Sequence, residues 1–100
     1  KTMNAQAELF SVDRYEAFIK FHHENPQVFR IFQERALEMI KTGRKHYSAR
    51  TILEVARWDI HLQTNGEPFK INNNHIPFYA KLFSEAQPEH RNFFRKREAA

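Results

Sequence analysis

Cysteine is absent from this chain of 100 residues, glycine occurs only twice, and no apolar run approaches the length of a membrane-spanning helix. The absence of cysteine excludes disulfides, thiolate zinc sites and cysteine nucleophiles, and it fits a reducing compartment. A spanning helix needs roughly 18 or more consecutive apolar residues, so we predict no membrane association. The polar residues 1–8 also lack the apolar segment of a secretory signal peptide. Together these absences predict a cytoplasmic location.

Aromatic residues are abundant where glycine is scarce, with ten phenylalanines, three tyrosines and one tryptophan. This composition favours a compact core over disorder, and a chain of this length forms a single domain. Apolar residues recur at helical spacing between capping residues, which predicts an all-α fold of about five helices. We expect residues 1–10 to form a flexible tail and residues 11–100 to form the helical domain.

The first two predicted helices meet at a tight corner. Asp13 and Glu16 have the spacing of a capping box, so the first helix is predicted to begin at Asp13. Asn25 and Pro26 end this helix and start the next one, because asparagine is a good N-cap and proline is tolerated in the first helical turn. The second helix is predicted to end just before Gly43, which supplies the left-handed residue that commonly follows a helix.

The third predicted helix begins at the N-cap Ser48, and its end is open to two interpretations. Either the helix continues to Gln63 and the Asn-Gly pair at 65–66 caps it, or residues near Leu62 and Phe69 pair in a short β-hairpin. An Asn-Gly pair between alternating runs is a strong hairpin signal, but one short hairpin alone is only marginally stable. We therefore favour a helix followed by a loop.

Three consecutive asparagines precede the fourth predicted helix. Asn74 is the predicted N-cap, which places Pro77 in the first turn, where the missing N–H group is not needed. Pro88 ends this helix and starts a fifth helix, which is predicted to run to about Glu98.

Positive charge is concentrated in two segments of a chain whose net charge is +4. Residues 41–53 contain no acid and four basic side chains, namely Lys41, Arg44, Lys45 and Arg50. Residues 91–97 contain four more basic side chains. If the two segments share one face, they form a binding surface for the phosphates of a nucleic acid. The alternative interpretation is a solvated surface that complements the helix dipoles.

The asparagine run offers a second candidate contact to nucleic acid. One asparagine is enough to cap a helix, and an asparagine side chain can read adenine in the major groove of DNA. Lys70, Asn72 and Asn73 are therefore predicted to approach a bound strand at the start of the fourth helix. The alternative is that the asparagines cap that helix and fix the preceding loop through side-chain-to-backbone hydrogen bonds.

No spacing in the sequence indicates a metal site or a catalytic centre. His22 and His23 are adjacent and point to different faces of a helix, and Asp59 and His61 likewise share no helical face. There is no glycine-rich phosphate loop, and the serines suit caps or helix surfaces. We predict no enzymatic activity, no metal and no cofactor.

Four motifs stand out as a set: Phe21-His22-x-x-Asn25-Pro26-x-Val28-Phe29, Gly43-Arg44-Lys45-His46-Tyr47-Ser48-Ala49, Arg57-Trp58, and Phe69-Lys70-Ile71-Asn72-Asn73-Asn74 followed by Tyr79-Ala80-Lys81-Leu82. As a set they resemble a family of small uncharacterised proteins from phages, prophages and environmental bacterial samples, and the resemblance covers residues 15–97. The family carries no assigned chemistry. The phage origin of the family implies a role linked to nucleic acid, or interference with a host protein, in preference to a metabolic role.

The leading hypothesis is a non-enzymatic accessory protein that binds DNA or RNA. It requires the basic loop after the second helix and the asparagine run to be neighbours in space. The runner-up is a protein-interaction module, either a factor that docks on a host protein or a homodimer. The chain has more aromatic residues than a small core needs, so some of them would be exposed as anchors for the partner. The candidates are Phe10, Phe21, Trp58 and Phe94.

Overall fold

A computed structural model describes residues 2–66 and 69–94, with side chains described from residue 12 onward. This part of the chain contains four α-helices, two short 3-10 helices and no β-strand, so the fold is all-α. The α-helices are α1 (Thr2–Glu24), α2 (Pro26–Lys41), α3 (Ala49–Gln63) and α4 (Ile76–Ala86). The 3-10 helices are Asn73–His75 and Pro88–His90.

The four helices pack as a bundle around α2. This helix contacts α1, α3 and α4, and α4 also packs on α3. The rings of Tyr15 and Phe18 on α1 meet Phe78 on α4, which joins the first helix to the last. The helices therefore enclose one continuous core.

Aromatic side chains dominate the core. Tyr79 lies at its centre and is fully buried, with the Phe18 ring centroid 4.8 Å away and the Phe32 centroid 5.7 Å away. Phe94 reaches the same region from the end of the described chain, 5.2 Å from both Phe32 and Phe83. Burial of such large rings supplies much of the stability of a domain of this size.

The predicted start and end of α2 are confirmed, but the predicted capping role of the Asn25 side chain is not. Pro26 opens α2 and Gly43 follows it with a positive φ of 96°, a conformation that glycine adopts at no steric cost. Asn25 precedes the helix but makes no capping bond with its side chain, which donates instead to the Phe21 carbonyl oxygen. The corner is therefore fixed by a bond back to α1.

The predicted start of the first helix is wrong. The backbone of α1 begins at Thr2, so Asp13 and Glu16 lie inside the helix and form no capping box. The preceding residues include no glycine or proline to interrupt a helix, which explains the earlier start. The flexibility expected for residues 1–10 stays a prediction.

The loop after α3 follows the favoured interpretation. The Ser48 hydroxyl accepts from the Thr51 N–H, as an N-cap should, and α3 continues to Gln63. Asn65 then turns the chain with a positive φ of 57°. The described residues on either side of 67–68 form no hairpin, and residues 67 and 68 themselves lie outside the description.

The ends of α4 differ from prediction. Asn72, not Asn74, is the capping residue, and it caps the 3-10 turn Asn73–His75 that leads into α4. After Pro88 the described chain makes only one 3-10 turn, followed by a turn and a bend that lead to the isolated bridge at Phe94. A fifth helix is therefore absent up to residue 94, where Phe94 instead bridges to Tyr47 and both phenylalanine rings enter the core. Residues 95–98 lie outside the description.

Two histidines lie among the aromatic rings, and their burial has a consequence for pH. His75 is only 5% exposed, and its burial lowers the pKa of the imidazole from its ordinary value of 6.5. Burial, with a smaller effect of the neighbouring His23, also lowers the pKa of His22. Both rings are therefore held in the neutral form at neutral pH.

We expect the free energy of unfolding to be highest above pH 6.5 and to fall as the pH drops below it. In that range the unfolded chain binds protons at His22 and His75 that the folded chain does not, so acid favours unfolding. Urea titrations at pH 8 and 5.5 should differ by up to about 1 kcal/mol for each histidine. His75→Phe, which keeps a ring in the cluster, should remove part of this difference. An unchanged difference would rule out His75 as a source.

Candidate nucleic-acid interface

An open cleft of about 490 Å³ lies between the α2–α3 loop and the segment that follows α4. We call it the basic cleft. Three of its lining residues are cationic and only one is acidic. The lining residues are Ile40, Gly43, Arg44, Lys45, Glu89, His90, Arg91, Asn92 and Phe93.

Hydrogen bonds hold the two walls of the basic cleft together. The Tyr47 N–H donates to the Phe93 carbonyl oxygen at 3.0 Å, within an isolated parallel bridge between Tyr47 and Phe94. His46 Nδ1 lies 3.0 Å from the Asn92 carbonyl oxygen, to which it donates. Phe93 and Phe94 are themselves buried in the core. The walls are therefore anchored to the bundle before any ligand arrives.

The cations of the basic cleft are free to meet an anion. Arg44, Lys45 and Arg91 are exposed, and among the described residues none of them forms an ion pair. The Arg44 guanidinium carbon lies 5.2 Å from the centre of the Tyr47 ring, a cation–π contact that restrains the side chain. A phosphate entering here would meet three cations without ion-pair partners among the described residues, against one lining carboxylate, Glu89.

Lys41 and Arg50 flank the loop without lining the basic cleft. Lys41 is the last residue of α2 and Arg50 lies in the first turn of α3, and both side chains are exposed. The structure thus brings Arg44 and Lys45 together with Arg91, and it leaves Lys41 and Arg50 beside them. The other basic residues of the second segment, at positions 95–97, lie outside the description.

The asparagine run serves as a brace for the loop before α4. The Asn72 side chain accepts from the Asn74 N–H at 2.9 Å. Arg57 on α3 donates to the Ile71 carbonyl oxygen at 2.8 Å and to Asn73 Oδ1 at 3.2 Å. Asn72 and Asn73 remain exposed, but the side-chain oxygen of each already accepts a hydrogen bond from within the chain. This matches the alternative interpretation, in which the asparagines cap and fix the loop.

The two parts of the predicted interface lie at opposite ends of α4. The asparagine run and Lys70 precede α4, while the wall of the basic cleft follows it. The 11 residues of α4 span about 16 Å. The structure therefore does not gather Lys70, Asn72 and Asn73 at the same site as Arg44 and Lys45.

Sequence reasoning missed the residues that build the far wall of the basic cleft. His90 and Asn92 carry no motif, and the bond between His46 and Asn92 joins positions far apart in the chain. The only signal was the positive charge of residues 91–97, which contributes Arg91. Nor did the sequence alone assign a partner to Arg57, whose Nη1 donates to Glu54 at 2.6 Å.

The described residues contain no group of three histidines and carboxylates placed to hold a metal ion. Nor does any helix of these described residues have the length and apolar character needed to cross a bilayer.

Comparisons of the chain with protein-family models, with curated proteins and with solved structures find no match in any of the three.

Proposed function

We propose that the protein is a non-enzymatic accessory factor that binds the phosphates of a nucleic acid in the basic cleft. The observation that carries this proposal is the convergence of Arg44, Lys45 and Arg91 on one open cleft without an ion-pair partner in the described chain. Exposed cations usually scatter or pair with carboxylates, as Arg30 and Lys20 do here with acids four residues away.

The size of the basic cleft supports a backbone phosphate and its sugar as the bound group. A volume of about 490 Å³ exceeds that of a small inorganic anion, and the cleft is open to solvent rather than enclosed. Contacts of this kind position a strand and carry little sequence information. We therefore propose binding with little sequence preference, in which Lys41 and Arg50 attract neighbouring phosphates.

Lys70, Asn72 and Asn73 enter this proposal only as a separate contact. A strand that left the basic cleft along α4 would reach them after about 16 Å. The resemblance of the chain to small phage proteins favours a role in nucleic-acid binding over a role in metabolism. This argument is an association and names no mechanism.

Fluorescence anisotropy with labelled single-stranded and duplex DNA and RNA tests the proposal. Three phosphate contacts should give a slope of log affinity against log salt of about −2 to −3, because each contact releases a condensed counterion. No binding at low salt, or binding whose affinity is indifferent to salt, would overturn it.

A second candidate function is a protein-interaction module, and one observation favours it. Of the four aromatic residues considered as anchors, Trp58 is 64% exposed, Phe21 is half-buried and Phe94 is buried. The side chain of Phe10 lies outside the description. Tryptophan is enriched among the residues that dominate protein interfaces, so its exposure on α3 favours a docking surface there.

A further inference from the structure

A guanidinium and two aromatic rings form a series of contacts at one edge of the basic cleft. The Arg44 guanidinium carbon lies 5.2 Å from the centre of the Tyr47 ring. The Tyr47 ring lies nearly parallel to that of Phe93, with 6.5 Å between the ring centroids and 14° between the planes. Phe93 is buried, Tyr47 is half-buried and Arg44 is exposed. The series, which we call the Arg44 stack, therefore leads from the core to the surface.

The Arg44 stack is in place before any ligand binds. The Tyr47 N–H donates to the Phe93 carbonyl oxygen at 3.0 Å, which fixes the two backbones beside each other. Arg44 forms no ion pair with the described residues, so the Tyr47 ring and not a carboxylate restrains it. A guanidinium is planar, and at most one of its two faces can lie against Tyr47. The other is left for a second flat group, and nucleic-acid bases stack on arginine in this way.

The helices of the described chain are poorly suited to the grooves of a duplex. A helix in the major groove lies between two negatively charged backbones, so acids on its exposed face oppose binding. The first three helices carry exposed glutamates that already pair with cations of the same helix. The pairs are Lys20 with Glu24 on α1, Arg30 with Glu34 on α2, and Arg57 with Glu54 on α3. A duplex would therefore meet the basic cleft only with its outer backbone, and its paired bases would not reach the Arg44 stack.

We infer that the basic cleft binds a single strand, with one unpaired base stacked on Arg44 and the flanking phosphates on Lys45 and Arg91. The inference rests on the proposed function and adds the substrate class to it. The bases of a single strand can turn away from its backbone, so one short segment can contact both the cations and the Arg44 stack. The cleft volume of about 490 Å³ lies within the roughly 300–1,000 Å³ of pockets that hold small organic ligands, so a whole nucleotide can enter.

Stacking outweighs the higher charge density of a duplex at a site of this size. A duplex has twice the phosphate density of a single strand, but the three cations of the cleft contact only a few phosphates. One stacked base contributes about 5- to 150-fold in affinity, and stacking accepts any base. We therefore expect a single strand to bind about 10-fold more tightly than a duplex, with little sequence preference.

Three ligands of equal length, about 15 nucleotides, test the inference in anisotropy titrations at about 50 mM salt. They are an oligothymidine, an abasic strand with the same phosphates, and a duplex that contains the oligothymidine. The oligothymidine should bind about 10-fold more tightly than either of the others. Equal affinity for the oligothymidine and the abasic strand, or tighter binding of the duplex, would overturn the inference and leave phosphate binding standing. No binding of any ligand would overturn the proposed function as well.

Two charge-conserving variants locate the stacked base. Arg44→Lys keeps the positive charge but removes the planar group, so the preference for the oligothymidine over the abasic strand should fall to within about 3-fold, with the salt slope unchanged. Lys45→Arg is the matched control at the next position, outside the Arg44 stack, and it should keep the 10-fold preference. Far-UV circular dichroism checks that both variants fold. A preference that survived in Arg44→Lys would overturn the inference.

Discussion

Replacing Phe32 with alanine is expected to lower the free energy of unfolding by about 3–5 kcal/mol, which is a large share of the stability of a domain of this size. Phe32 is fully buried on α2, and it packs against Tyr79 of α4 and against Phe94 from the end of the described chain. Its loss removes contacts to two other segments at once and leaves a cavity that the surrounding helices can only partly fill. Urea unfolding followed by circular dichroism measures the change.

Two matched variants show whether burial is the cause. Trp58→Ala removes a larger ring that is mostly exposed, and it should cost less than about 1 kcal/mol. Tyr79→Phe removes only a buried hydroxyl that has no hydrogen-bond partner among the described residues, and it should be neutral or stabilising by about 1 kcal/mol. If Phe32→Ala proved no worse than Trp58→Ala, the core assignment would be wrong.

The second large effect concerns the basic cleft. The triple variant Arg44→Ala, Lys45→Ala, Arg91→Ala should lose about 10- to 100-fold in affinity for DNA or RNA at low salt. The slope of log affinity against log salt should become shallower by about 2 to 3, because each lost contact no longer releases a counterion. Anisotropy titrations at several salt concentrations measure both quantities.

A control of equal charge separates the cleft from a general effect of net charge. Arg14→Ala, Lys20→Ala, Arg30→Ala also removes three exposed cations, but from α1 and the start of α2. It should change affinity only a few-fold. If both triple variants lost the same affinity and the same salt dependence, binding would reflect net charge and not the basic cleft.

Local signals in the sequence were sufficient to predict both ends of α2 and the start of α3. Pro26, Gly43 and Ser48 each act within one turn of their own position, so their effect can be predicted from neighbouring residues. The positions of Phe93 and Phe94 could not be predicted in this way. Helical spacing continues across them, and only contacts with distant core rings such as Phe32 and Phe83 favour the observed turn over a helix.

The residue types of the candidate site could be predicted from the sequence, but their arrangement in space could not. The excess of cations at 44, 45 and 91 is visible in composition, yet the hydrogen bond that joins His46 to Asn92 has no local signature. Likewise, the sequence alone does not decide which of Leu53 and Val55 faces the core, and the structure buries Leu53 and exposes Val55. A shift of the buried arc by one residue is decided by how α2 and α4 pack, which periodicity does not specify.

The docking of Phe93 and Phe94 has a consequence for the order of events in folding. Most helix contacts join elements that are adjacent in sequence, such as α1 with α2 and α2 with α3, so they form early and fast. The contacts of Phe94 with Tyr47 and Phe32 close much longer loops. We expect the bundle to assemble first and this aromatic segment to dock after the rate-limiting step. The basic cleft would then be the last feature of the molecule to form.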